Sequence, residues 1–309
     1  MTSTITSLLE NYEQRILGQQ KNVRLLLAAA LAGGHVLIEG VPGTGKTQMV
    51  KTLAQLLDSD FKRVQFTPDL LPSDITGSAI YNMKEHDFQT LKGPIFTNVL
   101  LADEINRTPA KTQAALLEAM EEKQVTIQGE TYPLPGLFFV AATQNPIEFE
   151  GTYPLPEAQQ DRFFFKLKID FPTLEEETSV LQMVIKEQTN PQEIASIFSN
   201  DSLLDIQKSV QEVNISNEIA DYIMKIVRKT RELEHIQYGA STRAAIAIAK
   251  TAQAWAYLDD RDYITPDDVK TVAIPSLRHR VQLSPYAELE GSDIDETIQE
   301  LVGSVAVPR

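Results

Sequence analysis

His35-Val-Leu-Ile-Glu-Gly-Val-Pro-Gly-Thr-Gly-Lys-Thr47 is the stretch that decides the fold of this 309-residue chain. Residues 36–38 form a short apolar run that is typical of a buried strand. Gly40–Thr47 fits the pattern G-x-x-x-x-G-K-[ST], and residues 48–57 continue as an amphipathic helix. This order of strand, glycine-rich loop and helix predicts a phosphate-binding loop, because the free N–H groups and the dipole of a helix N-terminus both favour an anion.

The side chains of the loop predict a nucleoside triphosphate with Mg²⁺ as the ligand. The Lys46 ammonium is expected to reach the β- and γ-phosphates, and the Thr47 hydroxyl to ligate Mg²⁺. A glycine-rich turn that merely connects strand and helix is the alternative, and it does not require this lysine and threonine. The predicted nucleotide-binding residues of the loop are Pro42, Gly43, Thr44, Gly45, Lys46 and Thr47.

Composition limits the classes of protein to which the chain can belong. It has no cysteine, which excludes disulfides and thiol chemistry, and its 4 scattered histidines disfavour a zinc site. The net charge of −15 disfavours a general affinity for nucleic acid, whose phosphates need a basic surface. Residues 1–10 lack the features of a signal peptide, and no window approaches ~18 uninterrupted apolar residues. We therefore expect a cytoplasmic protein without a membrane span.

The order of predicted elements indicates two domains. Helices are expected at 2–17 and 22–32, ahead of the loop, and at 109–122, where Thr108-Pro109 is the expected start. Short apolar strands near 36–38, 63–66, 96–102, 137–142 and 163–169 alternate with helices, which favours a parallel α/β sheet. Hairpins are expected to pair Ile75–Tyr81 with Phe88–Lys92, and within Val125–Leu134. After about residue 172 only helices are predicted, near 174–188, 201–213, 216–234, 241–258, 266–273 and 294–302.

Two adjacent acids end the strand Val99–Ala102 of the predicted sheet. Asp103 is expected to hold the Mg²⁺ water shell, and Glu104 to activate the attacking water as a general base. The alternative is a solvated strand end. Asn145 follows the next strand and either holds the water in line with the γ-phosphate or is a plain turn residue before proline. The second acid favours hydrolysis over transfer of phosphate to another substrate.

Two arginines allow both a catalytic and a structural interpretation. Arg162 precedes an apolar strand; it is either an arginine finger, which supplies positive charge to a neighbouring site in trans, or the partner of Asp161 in a surface ion pair. Arg243 starts an Ala-rich helix and either reaches back to the nucleotide or anchors that helix. The residues alone leave both alternatives open.

The whole set of motifs resembles the AAA+ ATPases. Gly40–Thr47, Leu100–Glu104, Asn145, Arg162 and Arg243 look like Walker A, Walker B, sensor 1, arginine finger and sensor 2. Ile16-Leu-Gly-Gln19 is similar to the segment that lines the adenine pocket, so the resemblance implies that Gln19 also contacts the nucleotide. Longer runs resemble the MoxR branch, and these are Gly33–Thr47, Asp103-Glu-Ile-Asn-Arg-Thr-Pro109, Ala142-Thr-Gln-Asn-Pro146, Tyr153-Pro-Leu-Pro-Glu-Ala-Gln159 and Tyr238-Gly-Ala-Ser-Thr-Arg243.

The resemblance implies an αβα P-loop ATPase core with a parallel five-stranded sheet at residues 1–172 and a smaller all-α lid at 173–309. The core would carry a helix-2 insert at about 67–94 and a pre-sensor-1 hairpin at about 124–135. Such proteins bind ATP and Mg²⁺ and commonly form a hexameric ring. They act in a chaperone-like way in the maturation of client proteins or in cofactor insertion, and they commonly pair with a partner that carries a von Willebrand factor A domain.

Three functions are compatible with these observations. The first is an ATP-hydrolysing remodeller of proteins. The second is a nucleotide-gated scaffold with little turnover, which could dispense with Glu104 and Asn145. The third is a DNA-directed motor, which the acidic balance of the chain disfavours. The second hairpin also offers only Lys123 as a cation, against Glu130.

Overall fold

A five-stranded parallel sheet forms the centre of the first domain. The computed structural model describes residues 2–84, 86–146, 151–189 and 200–308. The strands are β1 (Val36–Gly40), β2 (Phe61–Gln65), β3 (Gly77–Asn82), β4 (Asp87–Lys92), β5 (Val99–Asp103), β6 (Gln124–Ile127), β7 (Glu130–Pro133), β8 (Phe139–Gln144), β9 (Phe165–Ile169), β10 (Ile236–Tyr238) and β11 (Gln282–Leu283). The central sheet has the order β2-β5-β8-β1-β9 with every neighbouring pair parallel, which confirms the predicted P-loop AAA+ sheet.

The helices cover both faces of this sheet. They are α1 (Thr2–Arg15), α2 (Gln20–Leu31), α3 (Lys46–Leu56), α4 (Pro72–Thr76), α5 (Ala110–Glu122), α6 (Glu157–Gln160), α7 (Leu174–Thr189), α8 (Asn200–Gln211), α9 (Asn217–Lys229), α10 (Thr242–Leu258), α11 (Pro266–Leu277), α12 (Pro285–Leu289) and α13 (Ile294–Gly303). One apolar cluster lies between the sheet and α5, and a larger one between the sheet and α1–α3. The larger cluster continues into α8–α11 and α13, so the lid shares its core with the first domain. The domain boundary near residue 172 stays a prediction.

The lid is held on the edge strand β9 and on the residues just before it by three consecutive side chains that follow α11. Arg278 Nη1 donates to the carbonyl of Lys166 (3.1 Å), and His279 Nε2 donates to that of Phe163 (2.9 Å). Arg280 Nε pairs with the Asp161 carboxylate at 2.6 Å. Burial lowers the pKa of Arg280, although the adjacent Asp161 carboxylate opposes that shift. A buried ion pair is therefore part of the joint between lid and core.

Two details of the predicted elements are wrong. The first hairpin was expected to begin at Ile75, but residues 72–76 form α4, and strand pairing starts at Gly77 opposite Lys92. Gly77 has φ +102°, and a Cβ there would lie 2.2 Å from the Leu91 carbonyl, so the turn out of α4 requires glycine. Thr108 does not cap α5, because the helix starts one residue later, at Ala110, with Pro109 as its N-cap.

The helical lid is confirmed, with one addition. Strands β10 and β11 pair antiparallel within it. At three and two residues they are too short to show an alternating pattern in the sequence. In the part of the chain that the structure describes, no helix is long and apolar enough to cross a membrane.

Candidate active site

The phosphate loop lies at the carboxyl edge of the sheet, between β1 and α3. Gly43 and Gly45 have φ values of +84° and +80°, which glycine adopts without strain. Lys46 Nζ donates to the carbonyls of Gly40 (2.6 Å) and Val41 (2.7 Å). Burial lowers the pKa of Lys46, while the nearby Asp103 and Glu104 carboxylates oppose this shift. The lysine and the two acids predicted from sequence therefore meet at one edge of the sheet.

A cavity of about 710 Å³ opens beside the loop, within the range of ligand sites. Predicted residues Gln19, Gly43, Thr44 and Gly45 line it, whereas Pro42, Lys46 and Thr47 do not lie on its wall. Ile16 and Leu17 contribute an apolar side, as the adenine-pocket interpretation expects. The opposite apolar wall comes from α7, and it consists of Val180, Met183 and Val184. Sequence reasoning missed this wall, because it treated α7 only as the first helix of the lid.

Asp103 ends β5 with both carboxylate oxygens engaged. Oδ1 accepts a hydrogen bond from Thr143 Oγ1 at 2.6 Å, and Oδ2 accepts from Arg63 Nε (3.0 Å) and Nη2 (2.6 Å). Thr143 Oγ1 in turn accepts from the backbone N–H of Glu104 at 2.9 Å. Thr143 is completely buried. One hydroxyl on β8 thus fixes both acids at the end of β5, a role that the sequence did not reveal.

Glu104 adopts a left-handed backbone conformation, with φ +57° and ψ +49°. Such a conformation is uncommon for a non-glycine residue and is often found at functional sites. Its Oε2 accepts from Gln65 Nε2 (2.7 Å) and Arg107 Nη1 (2.9 Å). Asn145 lies directly after β8, buried, at the same edge of the sheet. The structure therefore brings the phosphate loop, both acids and Asn145 together, and Gln65 and Arg107 are site neighbours that the sequence did not indicate.

The donor set at this edge suits Mg²⁺. Thr47 and Asp103 offer a hydroxyl and a carboxylate, and Mg²⁺ prefers oxygen ligands together with waters and substrate phosphates. Among the described residues no group of three or more His, Cys, Asp or Glu side chains could hold a metal ion alone. The residues thus fit a Mg²⁺ ion that would be held together with the nucleotide and would supply positive charge to its phosphates.

The two arginines lie at the opposite edge of the sheet. Arg162 precedes β9, which runs parallel to β1, so it lies at the amino edge, while the phosphate loop lies at the carboxyl edge. Five residues of β1, at ~3.3 Å per residue, separate these edges by about 16 Å. Arg162 and Arg243 both line a second cavity, of about 270 Å³, which shares no lining residue with the first. Arg243 does not reach back to the candidate nucleotide site of its own chain.

The second cavity is basic, although the whole chain has a net charge of −15. Its charged lining residues are Lys123, Arg162, Arg243, Lys250 and Arg280 against Glu121 and Asp161. Arg162 pairs with Glu121 (3.1 Å), while the Asp161 carboxylate binds Arg280 and Ser241. The alternative of a surface ion pair between Arg162 and Asp161 is therefore wrong. The excess of positive charge suits a phosphate-bearing ligand.

The fold and this site define a P-loop ATPase of the AAA+ class. A family model for "ATPase family associated with various cellular activities (AAA)" matches residues 35–165, and one for "AAA lid domain" matches residues 228–301. The chain belongs to the MoxR family of these ATPases. It is 42% identical to the protein named Chaperone MoxR1 from Mycobacterium tuberculosis, over 95% of this chain and 80% of that protein.

Two further relatives cover nearly the whole chain. The uncharacterized protein YeaC of Bacillus subtilis is 49% identical over 97% of this chain and 93% of its own length. A crystal structure of an ATPase candidate from Cytophaga hutchinsonii is 43% identical and superposes with a TM-score of 0.91, over all of this chain and 96% of that one. The similarity therefore extends through both the core and the lid.

Proposed function

We propose that the chain hydrolyses ATP with Mg²⁺ and works as a ring of identical subunits, as a hexamer. One subunit supplies the phosphate loop, Glu104 as general base and Asn145 to hold the water. The next supplies Arg162 and Arg243 to stabilise charge on the γ-phosphate. The observation that carries this proposal is the position of the two arginines, at the sheet edge opposite their own phosphate loop. A head-to-tail ring contact is the arrangement that presents this edge of one subunit to the loop of its neighbour.

Within this site each residue has a definite chemical task. Thr47 and Asp103 would hold Mg²⁺ and its waters, and the bound ion would supply positive charge next to the phosphates. Glu104 accepts a proton from the attacking water once it leaves its hydrogen bonds with Gln65 and Arg107. The Thr143 hydroxyl holds Asp103 and Glu104 in position. Neighbouring arginine charge then stabilises the transition state, so that turnover depends on assembly.

Replacing the proposed base tests the hydrolysis step. Glu104→Gln keeps the size of the side chain and an acceptor for Gln65, but it cannot accept a proton. We expect this variant to bind ATP normally while phosphate release falls by about 10²-fold or more, the range assigned to a general base. Unchanged phosphate release would refute the assignment of Glu104 as the general base. A natural protein that binds ATP but releases almost no phosphate would instead support the nucleotide-gated scaffold.

The client surface that we propose is the β3–β4 hairpin together with β6–β7. Thr90 and Tyr132 join the two hairpins by a hydrogen bond of 3.0 Å. Met83 and Phe88 are 81% and 61% exposed on the first hairpin, and such apolar exposure suits contact with a polypeptide. This exposure supports a chaperone-like contact with client proteins. Following the MoxR resemblance, we further propose that the protein acts in the cytoplasm in maturation or cofactor insertion, with a von Willebrand factor A domain protein as partner.

Stimulation of the ATPase distinguishes protein clients from DNA. We expect unfolded polypeptide to raise the ATPase rate and the Phe88→Ser change to reduce that stimulation. Leu289→Ser, which removes a similarly exposed apolar side chain from the lid, is the matched control and should keep the stimulation. A rate raised several-fold by duplex DNA and not by polypeptide would instead support a DNA-directed motor.

A further inference from the structure

The C-terminal end of α5 carries acidic residues where helix electrostatics disfavours them. Glu121 and Glu122 are the last two residues of this helix, and its last turn contains no basic residue. The negative end of the helix dipole lies there, so carboxylates at this end destabilise the helix. Residues that oppose the helix dipole in this way are expected mainly at functional positions.

The Glu121 carboxylate binds both arginines of the second cavity. Its Oε1 accepts from Arg243 Nη2 at 2.6 Å, and its Oε2 is 3.1 Å from Arg162 Nη2. Arg162 belongs to the ATPase core, whereas Arg243 belongs to the lid helix α10. Two guanidinium groups this close repel each other unless an anion lies between them. Glu121 therefore sets the separation of two cations from different domains.

The backbone beside these arginines is fixed independently of Glu121. Asp161 Oδ2 accepts a hydrogen bond from Ser241 Oγ at 3.1 Å, and Ser241 is the N-cap of α10. Asp161 Oδ1 binds the buried Arg280. These contacts hold the chain around Arg162 next to the start of α10. What remains for Glu121 is the placement of the two guanidinium ends.

The geometry of the pair leaves donors for a second anion. A guanidinium group has five N–H donors, and the closest contact of Glu121 with each arginine is through the Nη2 atom. Nε of Arg162 is buried, but the Arg162 and Arg243 side chains are 29% and 53% exposed, so their remaining Nη N–H groups can address phosphate oxygens while the contact with Glu121 persists. Glu121 is itself an anion and would repel the phosphates. It therefore acts through the arginines and not directly on the nucleotide.

We propose that Glu121 is a positioning residue for hydrolysis on the neighbouring subunit, holding Arg162 and Arg243 as one unit that meets a single γ-phosphate. This inference rests on the proposed function, in which both arginines act in trans. It predicts that loss of Glu121 affects the rate of the chemical step. ATP binding to the phosphate loop of the same subunit should stay the same, since that loop lies at the other edge of the sheet.

Substitution of Glu121 by glutamine removes the charge but keeps the shape of the side chain. The test compares Glu121→Gln with Glu122→Gln, which removes an equal charge from the next residue of the same helix. Both are made in the natural background and in an Arg162→Ala/Arg243→Ala background. Steady-state kcat and KM for ATP, binding of a fluorescent ATP analogue and ring mass are measured for each, with long single-turnover reactions for slow variants.

We expect Glu121→Gln to lower kcat ten- to a hundredfold in the natural background, as for a small misplacement of catalytic groups, with KM and nucleotide binding changed less than about twofold. In the background without the arginines, Glu121→Gln should change the rate less than about twofold, because Glu121 then has no guanidinium group to position. An unchanged or raised kcat, or an equal fall in both backgrounds, overturns the proposal. If the double arginine variant alone keeps full activity, the proposed function in trans fails instead.

Discussion

Thr143→Val tests how the two acids of the site are held. Valine matches the shape of threonine but has no hydroxyl, so the change removes the hydrogen bond to Asp103 Oδ1 (2.6 Å) and leaves the Glu104 N–H without its acceptor. A hydrogen bond to a charged group contributes about 1.5–3 kcal/mol, and an unpaired buried donor costs about 1–3 kcal/mol. We expect the free energy of unfolding to fall by about 3 kcal/mol.

The same change should also slow hydrolysis. Asp103 and Glu104 lose their common restraint, and a misplacement of about 1 Å costs about 10²-fold in rate. Urea denaturation measures the stability and steady-state phosphate release measures kcat, while a fluorescent ATP analogue reports binding, which should change little. Thr143→Ser, which keeps the hydroxyl, is the control and should retain most of the activity. Equal kcat for Thr143→Val and Thr143→Ser would refute the idea that this hydroxyl positions the acids.

Two more predictions concern the buried His35 and the α7 wall of the cavity. His35 accepts from Val140 N (3.1 Å) and donates to the Met120 carbonyl (3.3 Å), and burial lowers its pKa from 6.5 to about 4. Its folded pKa is below its unfolded pKa, so its contribution of about 3 kcal/mol is present above pH 6.5 and is lost as the pH falls towards 4. The urea midpoint of His35→Asn should therefore depend less on pH across this window than that of the natural protein. An equal pH dependence of the two proteins would contradict the lowered pKa of His35. Met183→Ser should weaken binding of a fluorescent ATP analogue about tenfold, because it removes an apolar contact in the cavity. Leu181→Ser, on the exposed side of α7, is the control and should leave the affinity unchanged. Equal affinities of the two variants would exclude α7 from the binding site.

Local sequence patterns were sufficient for the phosphate loop, because strand, glycines, lysine and helix are contiguous in the chain. The acids were found because an apolar strand ends at them. Thr143 was not found, because its hydroxyl lies inside an apolar strand. Only the register of β8 against β5 places that hydroxyl beside Asp103. The same reason hid Gln65, whose partner Glu104 is 39 residues away.

The position of Arg243 depends on how the lid folds back on the core, and no local pattern encodes this. Helix α10 packs against α2, and the residues after α11 bind β9, so the start of α10 lies beside Arg162 at the amino edge of the sheet. Sequence reasoning left open whether Arg243 reaches the nucleotide of its own subunit. Long-range packing decides against it.

Mixing two inactive variants tests the shared catalytic site most directly. Arg162→Ala keeps an intact phosphate loop and Glu104, while Glu104→Gln keeps intact arginines. If the arginine acts in trans, a ring assembled at random from equal amounts has about a quarter of its sites formed by an intact loop facing an intact arginine. We therefore expect each variant alone to be inactive and the mixture to recover about a quarter of the natural ATPase rate. A mixture that stays as inactive as its components would contradict a site shared between neighbouring subunits.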